Sequence, residues 1–270
     1  MRVALLQTPV YEDATENLRA AADAVRRAAL AGAQIAVLPE MFCCPYDTAS
    51  FVCHAEPDGG ARWQLLRQLS RASGLYLIAG SVPEARGYDI YNTSYVFSPE
   101  GAQLAKYRKV HLFDVSIADG QRFRESDTLS PGKGICVFDT PFGRCGLMIC
   151  YDLRFPEFAQ RIAAAGADVL FVPASFNQTT GPAHWELLFR ARAVDNQLFT
   201  IGVASAQNPN AAYQSYGHSI AVSPWGEVLL QADTRPALKL ITLDTKQPAA
   251  LRRQMPFATH RAARIAREGL

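Results

Sequence analysis

The stretch Gly146-Leu-Met-Ile-Cys150-Tyr-Asp-Leu-Arg154-Phe-Pro-Glu157 decides how the rest of the chain is read. Its first part completes an apolar run of strand length, Arg144 to Ile149, which passes straight into Cys150. Its last part opens a helical pattern from Pro156 to Ala165 that stops at Gly166. A thiol therefore stands where an apolar strand turns toward a helix. Side chains at such strand ends project into a cleft while the strand behind them stays rigid.

Upstream, Ile135–Asp139 pairs with Arg144–Ile149 as a hairpin through Pro141-Phe-Gly143. Downstream come a strand at Ala167–Val172 and a helix at Ala183–Asn196, with Pro182 suited to its first turn. Strands follow at Phe199–Ala204, Gly217–Ser223, Val228–Ala232 and Leu238–Leu243, then a basic tail from Leu251. The first half reads as strands at Arg2–Gln7, Ile35–Leu38 and Leu75–Gly80, separated by helices at Asn17–Ala31 and Arg62–Ser73. A hairpin, Tyr91–Ser98 with Gln103–Tyr107, turns at Pro99-Glu-Gly101. Gly120 to Gly134 is a long polar connection, of a length that is usually functional inside a compact domain. No linker or repeat interrupts residues 1–270, so the chain reads as one α/β domain. Helix-separated strands mixed with hairpins favour two sheets covered by helices on their outer faces.

Composition narrows the function classes. The 270 residues are 49% hydrophobic and 19% charged, with 18 Gly and 16 Pro, which is globular rather than disordered or collagen-like. Lys+Arg 27 against Asp+Glu 25 leaves a net charge of +2, which argues against a dedicated nucleic-acid or polybasic membrane surface. No apolar run reaches the ~18 residues of a membrane span, and the N-terminus lacks a signal-peptide core. The reading is a soluble cytoplasmic protein. Cys43, Cys44, Cys53, Cys136, Cys145 and Cys150 form no C-x-x-C pair, and the five histidines are scattered, so a zinc site is not expected.

Two further stretches match the thiol in character. Val37-Leu-Pro-Glu40 puts a carboxylate at the end of a buried strand, and Lys106-Tyr-Arg-Lys109-Val-His-Leu-Phe puts a basic cluster after another. A thiol becomes a strong nucleophile when deprotonated, so a base or a cation beside it must favour the thiolate. Glu40 supplies a base that can later activate water. Lys109, with the backbone N–H of Tyr151, supplies charge and a donor for an oxyanion. Taken singly, each has an ordinary reading: Cys150 as a small core residue, Glu40 as a solvated loop carboxylate, Lys109 as part of a solvated basic face. The other five cysteines have no comparable surroundings in the sequence.

The joint order Pro39-Glu40, Tyr107-Arg-Lys109-Val-His-Leu112 and Cys150-Tyr-Asp-Leu-Arg-Phe-Pro-Glu157 resembles the nitrilase superfamily of carbon–nitrogen hydrolases. The resemblance runs from Arg2 to the tail near Arg261. It implies a four-layer αββα sandwich, no metal, no organic cofactor, and a Glu40-Lys109-Cys150 triad. Phe123-Arg-Glu125-Ser126 matches a second family glutamate, so Glu125 would bond Lys109 and help place the substrate amide; otherwise it is an exposed loop carboxylate. Phe176-Asn, Thr179-Thr180, Val194-Asp-Asn196 and His111-Leu-Phe-Asp114 are most similar to the omega-amidase branch, which hydrolyses the terminal amide of 2-oxo dicarboxylic acid monoamides. The deaminated-glutathione amidase branch shares Gly181-Pro-Ala-His-Trp-Glu186 and Tyr216-Gly-His-Ser219; N-carbamoyl hydrolysis and a non-catalytic binding protein on the same scaffold are the other readings. A substrate of this class carries a carboxylate far from its amide, and Arg154 is the candidate to bind it, unless it pairs with Asp152 or Glu157. Thr179 and Thr180 either donate to substrate or cap the following helix. The resemblance also implies a homodimer through the Pro156–Ala165 and Ala183–Asn196 helices; Phe158, Ile162, Leu187 and Phe189 offer apolar surface, some of which must serve the core, and the basic tail is placed to reach the partner.

Overall fold

Residues 1–116 and 122–268 are described by a computed structural model. In chain order the first half holds β1 (Arg2–Gln7), α1 (Ala14–Leu30), β2 (Ile35–Val37), α2 (Thr48–Cys53), β3 (Glu56–Pro57), α3 (Ala61–Ser73), β4 (Tyr76–Ile78), β5 (Val82–Arg86), β6 (Asp89–Phe97) and β7 (Gln103–Arg108). Then come β8 (Asp114–Ser116), β9 (Arg122–Arg124), β10 (Cys136–Thr140), β11 (Gly143–Leu147), α4 (Pro156–Ala164), β12 (Val169–Ala174) and α5 (Gly181–Asn196). The chain closes with β13 (Phe199–Ala204), β14 (Ile220–Val222), β15 (Val228–Gln231), β16 (Ala237–Thr242), α6 (Gln247–Gln254) and α7 (Phe257–Glu268).

Two sheets carry the core. One runs β16-β1-β2-β4-β6-β5-β3, with β7 also paired to β6; the other runs β10-β11-β12-β13-β14-β15. Strand alternation assigns their faces. Val3 and Leu5 of β1, Ile35 and Val37 of β2, and Val96 of β6 join the second sheet's residues in one apolar cluster. The intervening Ala4, Leu6, Ala36 and Phe97 fall into a separate cluster with Ala21, Val25 and Ala28 of α1 and Leu66 and Leu69 of α3. Because β-strand side chains point alternately to opposite faces, this partition puts α1 and α3 on one side of the first sheet and the second sheet on the other. Helices α4 and α5 cover the second sheet: a Cβ on Gly202 of β13 would lie 2.3 Å from the Phe189 ring of α5, so the helix seats where only glycine leaves room. The result is the four-layer αββα sandwich.

The structure departs from the sequence reading in several places. The Gly120–Gly134 connection contains β9, paired antiparallel to β8, and a 3₁₀ turn at Glu125–Asp127; its Gly120 and Gln121 lie outside the described residues. The basic tail is helical, as α6 and α7, and packs on its own chain. Arg252 pairs with Asp168 at 2.7 Å, and the Gln197 amide donates to the Met255 carbonyl at 2.7 Å. Phe158, Ile162 and Phe189 are buried at 3%, 0% and 0% exposure and are spent on the core, leaving Leu187 as the one of the four exposed. Their apolar character is explained by the sheet beneath α4 and α5, so it says nothing of a partner.

Candidate active site

Three strand ends converge. Leu38 and Pro39 carry the chain out of β2, and Met41 takes a positive φ of 47°, turning Glu40 inward. The turn is pinned by Ser81, whose N–H donates to the Pro39 carbonyl at 3.1 Å and whose hydroxyl accepts from the Met41 N–H at 3.0 Å. Gly80 is required there, since a Cβ would stand 2.0 Å from the Pro39 oxygen. Lys109 follows β7 and is fixed by its N–H donating to the Asn92 carbonyl at 2.8 Å.

Cys150 follows the extended Ile149 with φ 44°, at the start of a 3₁₀ turn over Cys150–Arg154. A non-glycine residue in this region costs ~1–3 kcal/mol and persists only where its surroundings over-determine it. Asp152 does so here. Fully buried, it accepts from the Ile149 N–H at 3.0 Å, the Tyr107 hydroxyl at 2.7 Å and the His111 N–H at 2.9 Å, and meets His111 Nδ1 at 2.7 Å. Buried Arg192 of α5 closes the other end, donating to the Leu153 and Arg154 carbonyls. Tyr151 is the second residue of the turn, so its N–H belongs to the set that a helical turn leaves without an internal acceptor.

The charged side chains meet without solvent. Lys109 Nζ lies 2.9 Å from Glu40 Oε1 and 2.9 Å and 3.0 Å from the two oxygens of Glu125, all three groups inaccessible. Glu125 also accepts from the Phe113 N–H at 2.7 Å, so it is a built part of the site and not an exposed loop carboxylate. The Tyr46 hydroxyl is 2.5 Å from Glu125 Oε1 and 3.2 Å from Glu40 Oε1; with one proton to give, it donates along the shorter contact. Asn92 Nδ2 donates to Glu40 Oε1 at 2.8 Å. Glu40 Oε1 is thus held by a lysine and an amide, whereas Oε2 is buried with no hydrogen-bond partner among the described residues.

Electrostatics set the protonation states. Burial pushes the Glu40 carboxyl above its ordinary range, opposed by Lys109. Burial works against the Lys109 charge, but Glu125 and Glu40 outweigh it and hold the ammonium well above the usual lysine range. Burial, then the Glu40 charge, push the Cys150 thiol well up, against Lys109 and the Ser175 backbone. The sequence argument had the base and the cation favouring a thiolate; with two carboxylates around one lysine, the thiol instead stays protonated until a base takes its proton.

A small cavity beside the thiol is lined by Cys150, Tyr151, Arg154, Ser175 and Thr180 among others. Arg154 makes no ion pair among the described residues. Asp152 is committed to the elbow, and the Arg154 guanidinium instead meets His184 Nδ1 at 3.1 Å and lies over the rings of Phe176 and Tyr151 at 4.9 and 5.5 Å. An Arg N–H only donates, so His184 Nδ1 is the acceptor in this contact. Thr180 lines the cavity, and its hydroxyl donates to Asn177 Oδ1 at 3.0 Å rather than capping α5. Thr179 is exposed, is not among the cavity's residues, and gives its N–H to the same Asn177 oxygen. Tyr46, Asn92 and Asp152 are site residues that the sequence reading did not single out.

A family model described as carbon-nitrogen hydrolase matches residues 2–253. The omega-amidase NIT2 of Mus musculus is 45% identical over 262 residues, 97% of this chain and 95% of the relative. That of Homo sapiens is 46% identical over 255 residues, 94% of this chain and 92% of the relative. Among solved structures, Saccharomyces cerevisiae Nit3, a member of branch 10 of the nitrilase superfamily, superposes with a TM-score of 0.87 at 36% identity, covering 95% of this chain and 94% of that one. A variant of the amidase from Nesterenkonia sp. AN1, carrying covalent addition of the acetamide moiety of fluoroacetamide at its active site cysteine, gives 0.82 at 28% identity, covering 100% and 97%.

Proposed function

The chain belongs to the carbon-nitrogen hydrolase family and is an amidase of the nitrilase superfamily, and from that premise we propose that it hydrolyses the terminal amide of 2-oxo dicarboxylic acid monoamides, 2-oxoglutaramate and 2-oxosuccinamate, through a thioester on Cys150. Glu40 takes the thiol proton as sulfur attacks the amide carbon. The developing oxyanion is met by the Lys109 ammonium and the Tyr151 N–H. The carbon–nitrogen bond breaks, Glu40 passes its proton to the departing nitrogen, and ammonia leaves. Glu40 then takes a proton from water, whose hydroxyl displaces the sulfur to give the dicarboxylate. Glu125 holds Lys109 alongside Glu40 and helps place the amide.

One observation carries the substrate class: Arg154 shares the thiol's cavity and has no carboxylate partner among the described residues. An unpaired guanidinium framed by aromatic rings favours a planar anion, which it binds through two parallel N–H bonds. Thr180 lines the same cavity and supports a role beside it, whereas the position of Thr179 supports none. The names borne by the NIT2 relatives point the same way. Ammonia release from 2-oxoglutaramate, deaminated glutathione and N-carbamoyl-β-alanine tests the reading. Fastest turnover of 2-oxoglutaramate is expected; preference for deaminated glutathione would move the protein to the neighbouring branch, and no release from any amide would leave only a binding role. We further place the protein in a reducing cytoplasm, supported by six cysteines that are all unpaired thiols. A homodimer through the α4–α5 face is supported by Leu187 and Val194 of α5, 63% and 41% exposed.

A further inference from the structure

The basic cluster Lys106-Tyr-Arg-Lys109 serves the active site only in part. Lys109 turns inward to Glu40 and Glu125, and Tyr107 joins the core between the sheets. Lys106 and Arg108 alternate with them and leave the sheet on its other face, where both meet Glu84 of β5. On β6 the same alternation sends Asn92 to Glu40, while Tyr91 lies under the Arg108 guanidinium at 4.0 Å and Thr93 donates to Glu84 at 2.7 Å. On this outer face an open depression of about 880 Å³ lies between β5, β7 and the segment 131–133. Glu40, Lys109, Glu125 and Cys150 are not among the residues that line it.

Its charges do not balance. Arg86, Lys106, Arg108 and Lys133 line it against Asp58 and Glu84. Buried Glu84 accepts from Lys106 Nζ at 2.5 Å and from Arg108 Nη2 and Nε at 2.6 and 2.9 Å, so one carboxylate fixes two cationic heads. Half-exposed Asp58 meets Lys106 at 2.7 Å. Neither Lys106 nor Arg108 exhausts its N–H donors on these contacts. Arg86 and Lys133 are exposed and make no ion pair among the described residues. Their backbone is nevertheless fixed. Arg86 ends β5 opposite Asp89, whose carboxylate instead accepts from the Ser130 and Tyr91 hydroxyls at 2.7 and 3.2 Å. Before Lys133, the Ser130 N–H donates to Ile90 and the Gly132 N–H to Lys109, both at 2.7 Å, and a Cβ on Gly132 would stand 2.1 Å from the Arg108 oxygen. Two unpaired cations are thus presented on rigid backbone beside two that are already ordered, an arrangement that spares a ligand the cost of assembling its own site. We propose that the depression bounded by Arg86, Lys106, Arg108 and Lys133 binds a small dianion, a phosphate group or a dicarboxylate, at a site separate from the active site. Arg86 and Lys133 supply the charge that no carboxylate of the protein neutralises, and Arg108 and Lys106 add donors. The site stands independently of the amidase reaction.

Calorimetric titration of inorganic phosphate and of succinate into the full chain, at pH 8 and low ionic strength, tests the site. Saturable binding is expected, and the tighter of the two probes tells a phosphate group from a dicarboxylate. Arg86→Ser combined with Lys133→Ser should weaken that binding by about tenfold or more, because two charge-assisted contacts are lost. Arg86→Lys combined with Lys133→Arg keeps both charges and should stay within about threefold of the native affinity. Arg154→Ala, which removes the anion contact proposed for the active site, should leave the binding in place. Both substituted positions are exposed, and circular dichroism checks that each variant is folded. Native affinity for both probes in the double Ser variant would overturn the site, as would the absence of saturable binding by the native chain. Loss of binding in Arg154→Ala would overturn it too, because the anion would then occupy the active site.

Discussion

Replacing Lys109 with Met tests whether the buried charges depend on one another. Lys109 Nζ makes three contacts of 2.9–3.0 Å to Glu40 and Glu125, with all three side chains at 0% exposure. Met keeps the volume of the stem and removes the charge. Two carboxylates then face each other in a site without water, and removing one partner of a buried pair costs about 3–5 kcal/mol. Against a typical stability of ~5–15 kcal/mol that is a large fraction. Urea unfolding at pH 7 should show a midpoint lowered by about 1 M. The pH dependence has a defined sign. With the lysine gone, burial and the neighbouring carboxylate raise the Glu40 carboxyl further above its unfolded value, so the folded state binds more protons. Stability therefore rises as pH falls through that range, and the deficit should narrow from pH 8 to pH 5. Adding Glu125→Gln removes the repulsion and should recover about 1–3 kcal/mol. A loss under about 1 kcal/mol, or a deficit that widens on acidification, would refute the picture of a mutually dependent cluster.

Other expectations are simpler. Cys150→Ala should fold as the native protein and lose ammonia release; turnover above background in that variant would remove the nucleophile assignment. Glu40→Gln keeps shape and removes the base, so it too should be folded and inactive, as circular dichroism and the ammonia assay together would show. Arg154→Lys should slow hydrolysis of 2-oxoglutaramate by roughly 10- to 150-fold, the worth of a charge-assisted bond, and spare an uncharged amide of equal length; equal loss on both would reject carboxylate binding. Light scattering at micromolar concentration should give twice the mass of one chain, and Leu187→Glu should halve it.

What could be read from the sequence was local. Glu40 and Cys150 each follow a short apolar run that is recognisably a strand, whereas Lys109 follows the mixed strand Gln103–Arg108 and is legible from the hairpin turn before it and the basic cluster around it. Asn92 could not be read this way. Its side chain reaches Glu40 only because β6 lies beside β4 in the sheet, an order no single segment contains. Tyr46 follows Glu40 by six residues in an irregular turn, without a periodic pattern to give it a direction. Asp152 was legible only as a charge near Arg154; its actual partners come from β7, the segment after it and the strand end before the elbow. The same limit explains Phe158, Ile162 and Phe189, since apolar spacing shows that a helix face is covered without saying whether a sheet or a second subunit covers it. β3, β8 and β9 are too short to show alternation, and β5, Val-Pro-Glu-Ala-Arg, carries no alternating apolar pattern.

The division of labour within Glu40 is the feature that joins the fold to the chemistry. Oε1 is occupied by Lys109 and Asn92, which hold the carboxylate in place, and Lys109 moderates the rise that burial imposes on its affinity for a proton. Oε2 has no hydrogen-bond partner among the described residues, and the carboxylate as a whole raises the Cys150 thiol. In the proposed reaction Oε1 fixes the group while Oε2 is free to exchange protons. Glu125 completes the balance. By sharing the single ammonium it leaves the cluster with net charge −1 when Cys150 is neutral, so ionising the thiol before substrate arrives would put a third negative charge around one lysine. The thiol therefore keeps its proton, which also lowers its reactivity toward oxidants. In the proposed reaction, attack on the amide carries negative charge from sulfur to the carbonyl oxygen at the same time as the proton moves to Glu40. An arrangement of this kind makes nucleophile formation and bond formation one event and confines the reactive thiolate to the moment a carbonyl carbon lies next to it.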